Sequence, residues 1–233
     1  AVMRAVAALP PVDVLVNNAG IAHYGLISQI SEADFQRLFA VNVGGVYHCV
    51  NAVLPAMLQA GERMFAYRFE GYWKDVGTIE SLWEANMDLL DPKMPLDLSD
   101  PSWRIYSRNN GLPPHYLAPT AKVQNSVISE GGNIAGTVDF SVIFPGVTIE
   151  EGAEVRDSII MPGVTVGKNA VVQYAIVAEN AVIGEGAVVG GRPEETPSDK
   201  WGIAVVASGR HIGKGRTVAP RAMIEEDLRE EEN

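Results

Sequence analysis

The sequence predicts an α/β fragment followed by a left-handed parallel β-helix. Three observations carry that prediction. From Ile128 onward, aliphatic residues recur at six-residue steps, in trios that repeat every 17 residues. Glycine and asparagine fall at matching places between the trios. Residues 1–62 show a different pattern, one short apolar run and then a long stripe at helical spacing.

The repeat is the stronger signal. Ile143, Ile149 and Val155 align with Ile160, Val166 and Val172, and again with Val177, Ile183 and Val189. Steps within a trio are six and six, and the step between trios is five. These are hexapeptide repeats: each coil is a triangle of three short strands, with one aliphatic per side pointing into the prism. Tight corners need left-handed backbone, which Gly146, Gly152, Gly163, Gly167, Asn169, Asn180, Gly184 and Gly186 are placed to adopt. A buried aliphatic contributes roughly 1.5–3 kcal/mol, so a coil gains on the order of 5–9 kcal/mol before entropy. No coil buries its faces alone, and stacking is obligatory. Ile128 and Ile134 begin a shorter coil, and Val206, Ile212, Val218 and Ile224 resume the step after an interruption. That interruption, Gly190 to Gly202, holds Pro193 and Pro197 and is expected to leave the prism as a loop, because proline cannot serve an interior ladder strand. The solenoid is assigned to residues 123–226 and an acidic tail to 227–233.

The N-terminal stretch reads differently. Val12 to Val16 is a buried-strand run behind Pro10 and Pro11, and a loop from Asn17 to Gly25 follows. Ser31-Glu32-Ala33-Asp34 opens a helix as a capping box. Its apolar face runs Phe35, Leu38, Phe39, Val46, Cys49, Val50, Val53, Leu54 and Met57, interrupted by Asn42. Residues 63–92 alternate as a strand through Met64 to Phe69, and Thr78 then caps a helix over Ile79 to Leu90. Residues 93–122 are a proline-rich linker. Val12–Val16 and Met64–Phe69 are expected to pair as a parallel β-α-β unit. Val14, Val16, Phe35, Phe39, Val46 and Val50 would still lack the neighbours that a full sheet supplies, so this part is expected to pack loosely.

Composition narrows the function. The chain has 233 residues, 47% hydrophobic and 20% charged, with a formal net charge of −11. That balance speaks against a nucleic-acid partner held by phosphate contacts. The single cysteine, Cys49, excludes an intramolecular disulfide and suits a reducing, cytoplasmic setting. No apolar run reads as long enough to span a membrane, so no membrane partner is expected.

Two resemblances follow from particular motifs. The run Phe69-Glu70-Gly71-Tyr72-Trp73-Lys74-Asp75-Val76-Gly77-Thr78, continued through Leu90, resembles the end of the catalytic domain of bacterial glucose-1-phosphate adenylyltransferases. Ser126-Val127-Ile128, Ser141-Val142-Ile143 and Ser158-Ile159-Ile160-Met161-Pro162-Gly163 are similar to that family's β-helix. The resemblance implies ADP-glucose synthesis from ATP and glucose 1-phosphate with Mg, for glycogen synthesis, and makes Asp75 a metal ligand. It also implies a homo-oligomer through the β-helix. The family's Gly-rich nucleotide loop, partner acid and sugar-phosphate lysine are not in the sequence, so neither Mg nor ATP is expected to be functional here. The competing assignment for Asp75 is a turn or helix-start carboxylate.

Asp13-Val14-Leu15-Val16-Asn17-Asn18-Ala19-Gly20 and Val41-Asn42-Val43-Gly44-Gly45 resemble the short-chain dehydrogenases. That resemblance implies NAD(P) binding near Asn18, Ala19 and Gly20 and a proton-relay role for Asn42. The competing assignment for Asn42 is a buried asparagine bonded to backbone. The Gly-rich dinucleotide loop and the Tyr-x-x-x-Lys pair are absent from the chain, so hydride transfer is not expected. With the join near Glu62, the chain reads as a chimera.

Other candidates are weaker in number of supporting residues. Arg210, His211, Lys214, Arg216 and Arg221 form a basic cluster on the last coil, a candidate anion or effector site around Arg210, Lys214 and Arg216. A third function class is a hexapeptide-repeat acyltransferase with His211 as base. The other histidines, His23, His48 and His115, show no metal spacing. The leading expectation is an adenylyltransferase remnant that keeps its assembly or regulatory domain and is inactive alone.

Overall fold

The computed structural model describes residues 2–22, 30–65, 68–98, 100–106 and 111–229. It divides into two compact units, Ala1–Phe69 and Glu70–Asn233.

The second unit is a left-handed parallel solenoid of about six coils. Its three faces are six-stranded parallel sheets. In each, a strand pairs with its counterparts one coil before and one coil after, so the ladder runs along the axis. The three predicted inward columns form as expected. Ile143, Ile160 and Val177 stack in one, with Val206 beyond them. Ile149, Val166, Ile183 and Ile212 stack in the second. Val155, Val172, Val189 and Val218 stack in the third. All of these have 0–1% exposure and form one continuous core. The solenoid begins earlier than its repeat was legible. Tyr116–Leu117, inside the stretch read as linker, already pairs with Asn133–Ile134.

The prolines at the interruption act as predicted. The strand Val188–Gly190 closes one coil, a short 3-10 turn covers Pro193–Glu195, and the ladder resumes at Ala204–Val206. Ala204–Val206 pairs directly with Ala175–Val177, so the excursion leaves the axial register intact.

The corners depart from expectation at two glycines. Gly146, Gly152, Gly163 and Gly186 are left-handed, as are Asn169 and Asn180. Gly167 and Gly184 are not among the left-handed residues. They are required by close approach instead: a Cβ at Gly184 would lie 2.7 Å from the Ile212 carbonyl oxygen, and one at Gly167 2.9 Å from that of Ile183. A second type of corner carries side chains in the left-handed region, at Asn125, Phe140, Asp157 and Tyr174.

Ahead of the solenoid lies helix α4, Ile79–Asp88, which is numbered after the three helices of the first unit. Thr78 caps it, accepting from Ser81 N–H at 3.1 Å, while Ser81 Oγ accepts from Thr78 N–H at 3.0 Å.

The first unit is helical: α1 at Val2–Val6, α2 at Glu32–Phe39, a π-helical segment at Ala40–Gly45, and α3 at Val46–Gln59. Ser31 caps α2 as predicted, accepting from Asp34 N–H at 3.1 Å. Val12–Val16 forms no strand, and Val14 and Val16 are each 76% exposed. The expected β-α-β pairing is therefore not made by the described residues; residues 66 and 67 of its partner strand lie outside them. A strand is stabilised by its ladder and by packing on both faces, and this run has neither. Val53 is the one buried residue among the described residues of this unit.

The expectation about membrane-length runs is corrected. Glu32–Gln59 is helical throughout, and it is long and apolar enough to cross a membrane by length and composition. Asn42, His48 and Asn51 interrupt the apolar run but leave its average high.

Candidate functional site

The face that carries the Ile143, Ile160 and Val177 column differs from the others in being apolar on both sides. Its strands include Val142–Ile143, Ile159–Ile160 and Ala175–Val177. Ile143, Ile160 and Val177 point inward, so Val142, Ile159 and Ile176 point outward. These outward residues are nonetheless buried. Helix α4 covers them through Ile79, Leu82, Trp83 and Met87, and the excursion loop covers them with Trp201 and Ile203. Trp83 Nε1 donates to the Asp157 carbonyl at 2.7 Å, and Trp201 Nε1 to the Gly191 carbonyl at 2.9 Å. The Tyr174 ring lies between the two indoles, with centroids 5.9 and 5.5 Å away.

Beside this face runs a ladder of serines spaced 15 and 17 residues apart. Ser126 Oγ accepts from Ser141 N–H, Ser141 Oγ from Ser158 N–H, and Ser158 Oγ from Ala175 N–H, at 3.1 to 3.2 Å. Each hydroxyl donates back to a carbonyl two residues earlier. Ser141 and Ser158 are fully buried, and the ladder satisfies both hydroxyls.

At the same corner sits Asp157. Burial, reinforced by the Asp139 carboxylate one coil away, raises its pKa above the usual carboxylate value, against the opposing pull of Arg156 and Arg192. Burial likewise raises the Tyr174 phenol, with Asp157 and Glu194 adding to the effect.

The Gly71–Thr78 segment is tied to α4. Asp88 accepts from Tyr72 Oη at 2.8 Å and from Lys74 Nζ at 2.9 Å, and Lys74 reaches Glu84 at 3.1 Å. The hydrogen bond to Asp88 raises the Lys74 pKa, and its counterpart lowers that of Asp88. Between these anchors Trp73 is 76% exposed. Asp75 is exposed, and one carboxylate oxygen accepts from Gly77 N–H at 3.0 Å, forming a turn just ahead of the helix cap. Among the described residues no group of three or more His, Cys, Asp or Glu side chains converges on one point. Asp75 is thus a single carboxylate with one oxygen engaged in its own turn.

In the first unit Asn42 lies in the π-helical segment Ala40–Gly45, and its side chain reaches the backbone just after Gly20. It binds Ile21 twice, Oδ1 accepting from the Ile21 N–H at 2.8 Å and Nδ2 donating to the Ile21 carbonyl at 2.9 Å. That is the backbone-bonding geometry, but on an exposed residue. Asn18, Ala19 and Gly20 are exposed and carry no regular structure. An apolar groove between α1 and α3, lined by Met3, Val6, Leu9, Val53 and Met57, runs beside the same helix.

The basic cluster on the last coil is matched by acids. Arg210 lies 3.9 Å from Asp227, and Lys214 2.9 Å from Glu185. Arg216 also has partners, and Arg221 donates to the Asp199 carbonyl at 3.4 Å. His211 is exposed on the face that carries the Ile149, Val166 and Ile183 column. Cys49 is half-buried on α3, and His23 lies outside the described residues. Sequence reasoning missed Trp83, Asp88, Asp157 and Tyr174. A usable signal was present: consecutive aliphatics at Val142-Ile143, Ile159-Ile160 and Ile176-Val177 mark a strand covered on both sides.

Comparisons with known proteins divide along the same chain. Residues 117–227 match the family described as GlmU-like, C-terminal hexapeptide. Residues 1–63 match the short chain dehydrogenase family. The glucose-1-phosphate adenylyltransferase of Desulforamulus reducens is 57% identical over 106 residues, which are 46% of this chain and 27% of that protein. Those of Bacillus mycoides and Bacillus anthracis are 58% identical over 106 residues, covering 28% of each protein. The chain thus spans little more than a quarter of the length of these curated relatives. One polypeptide joins a stretch similar to a short chain dehydrogenase to a hexapeptide solenoid similar to the matching part of glucose-1-phosphate adenylyltransferases.

Proposed function

We propose that this chain is a remnant of a glucose-1-phosphate adenylyltransferase that retains the β-helix assembly and regulatory domain and is inactive alone. The observation that carries the reading is the pairing of a continuously packed solenoid with a short matched segment. Every inward position from Ile134 to Val218 is filled, yet the matched segment covers 27% of the adenylyltransferase from D. reducens. Phosphoryl-group transfer depends on several groups positioned together around the nucleotide phosphates. Asp75 alone does not supply that arrangement. Homo-oligomer formation through the solenoid and a cytoplasmic setting belong to the same reading, with no nucleic-acid partner. Arg210, Lys214 and Arg216 remain its candidate anion-binding residues, for a phosphorylated effector.

The test is pyrophosphate release from ATP and glucose 1-phosphate in the presence of Mg²⁺. The expected result is no turnover above background. Turnover that disappears in Asp75→Asn would overturn the reading.

A second reading rests on Asn42. Its paired bonds to Ile21 hold the segment after Asn18-Ala19-Gly20 against the helix, which favours a residual NAD(P)-binding fragment. NADPH fluorescence titration decides between them: saturable enhancement lost in Asn42→Ala supports this second reading, and no enhancement removes it.

A further inference from the structure

The two ends of the solenoid are finished differently. In the column of Leu117, Ile134, Ile149, Val166, Ile183 and Ile212, each rung is made the same way. The N–H of the residue after one member donates to the carbonyl of the next member. Ala118 N–H donates to Ile134 O at 2.8 Å, Gly167 N–H to Ile183 O at 2.8 Å, and Gly184 N–H to Ile212 O at 2.7 Å. The pattern does not stop at Ile212. Gly213 N–H donates to Leu228 O at 2.6 Å, and Leu228 N–H donates to His211 O at 2.9 Å. Leu228 therefore forms one further parallel rung on Ile212 and packs against the core. Asp227 assists, its carboxylate accepting from His211 N–H at 3.0 Å.

Among the described residues, no rung closes the other end. The Tyr116–Leu117 strand is the terminal strand of its sheet. Leu117 and Val123, which head two inward columns, are 45% and 38% exposed. Leu117 belongs to the same column as Leu228, so its backbone faces outward along the axis with the rung geometry that Leu228 offers to Ile212. The same residue type thus stands at both places, one filled from within the chain and the other open.

We propose that Asp227–Leu228 is an intramolecular end cap on a self-association site, and that the competing occupant is the Leu117 edge of a second copy. Docking would be head-to-tail. It would continue the parallel ladder with Leu117 of one copy on Ile212 of the next and Val123 near Val218, as the axial register dictates. Edge strands template such additions, and a head-to-tail contact that does not close a ring adds copies without limit. The tail holds that growth back by occupying the rung. Two copies meeting at their open ends would oppose strands in the antiparallel sense and lose the register, so the parallel continuation is the one the ladder favours.

The experiment is sedimentation velocity of the full chain across a range of concentrations. It compares the unaltered protein, Leu228→Pro, Leu228→Ala, and each substitution combined with Leu117→Asp. Leu228→Pro removes the N–H that bonds His211; Leu228→Ala keeps the rung and removes the plug. Whatever mass the unaltered chain shows is the baseline, so lateral assembly through the faces does not confuse the reading. The expected result is a weight-average mass that climbs with concentration in Leu228→Pro by more than about twofold without a plateau. Leu228→Ala should climb less, and Leu117→Asp should return both to baseline. Far-UV circular dichroism checks that the solenoid is retained, and if Leu228→Pro fails to fold, Leu228→Ala with its Leu117→Asp reversal decides. An unchanged mass in the folded variants, or growth that survives Leu117→Asp, would overturn the proposal.

Discussion

Ile160 and Val16 are both β-branched aliphatics set in runs of strand-forming residues, yet Ile160 has no solvent exposure and Val16 is 76% exposed. The difference lies in where their neighbours come from. Ile160 is covered by Ile143 and Val177, 17 residues away on either side, and the same sequence motif supplies all three. The solenoid carries its own neighbours wherever three or more coils are present. Val16 belongs to a run that is stable only beside other parallel strands with helices on both faces. The described residues of 1–69 form no such strands, so the helices form from local signals while the strand does not. Local periodicity needs only its own segment, and a sheet assembled from distant segments needs all of them.

The sharpest way to break this comparison is amide hydrogen exchange. Backbone amides of Ile143, Ile149 and Ile160 should exchange only through global opening of the solenoid. Those of Val14 to Val16 should exchange at rates near an unstructured peptide, a ratio of roughly 10⁴ or more. Limited proteolysis should agree, cutting within residues 1–69 and leaving a resistant fragment that contains the whole solenoid from Tyr116. Comparable protection in the two units would mean that the first has partners its own residues do not reveal.

A smaller effect separates the units by substitution. Ile160→Ala opens a cavity in a column with no room to collapse and should lower stability by about 2–5 kcal/mol. Val16→Ala removes exposed atoms and should change it by less than about 0.5 kcal/mol. Urea denaturation followed by far-UV circular dichroism measures both. A large loss from Val16→Ala would place a hidden core in the first unit.

Much of the second unit was legible before its coordinates. The 17-residue period identifies the three columns because one aliphatic recurs at every sixth position and again one coil later. Pro193 and Pro197 mark the excursion, and Ser31 and Thr78 mark helix starts by side-chain chemistry acting over three residues. What escaped was long-range or two-sided. The docking of α4 depends on Trp83 meeting Asp157, 74 residues later, and no periodicity reports that. Gly167 and Gly184 were read as left-handed corners, but what excludes a side chain there is the carbonyl one coil away. The end rung at Leu228 was hidden inside an acidic tail, because the surrounding glutamates outweigh one leucine in any compositional reading. For the candidate site, residue types were readable and their company was not. Asp75 accepts from the backbone of its own turn, and Arg210 and Lys214 face carboxylates.

The smallest effect tests a corner where burial of a carboxylate costs the solenoid stability. Asp157 is left-handed with φ of 47° and is held between Phe140 and Tyr174. Its carboxyl has a raised pKa, first through burial and then through Asp139. A raised carboxylate pKa means that the folded state binds its proton more tightly than the unfolded chain does. Stability then falls as pH rises from the unfolded value through the raised folded one, and the full cost persists above that window. Asp157→Asn never ionises, and asparagine accepts left-handed backbone at least as readily as aspartate. The variant should therefore be more stable than the parent at neutral pH. The group is only partly buried and flanked by Arg156 and Arg192, so solvent screening holds the gain below about 1 kcal/mol. The gain should shrink as pH is lowered through the window and vanish once both states of the parent are protonated. Urea midpoints for the two proteins, measured from acid to neutral pH, test the sign directly. A difference that is constant with pH would assign the effect to packing against Tyr174. A difference that grows in acid would mean that the Asp157 carboxylate stabilises the corner through Arg156 and Arg192, the reverse of a cost set by burial.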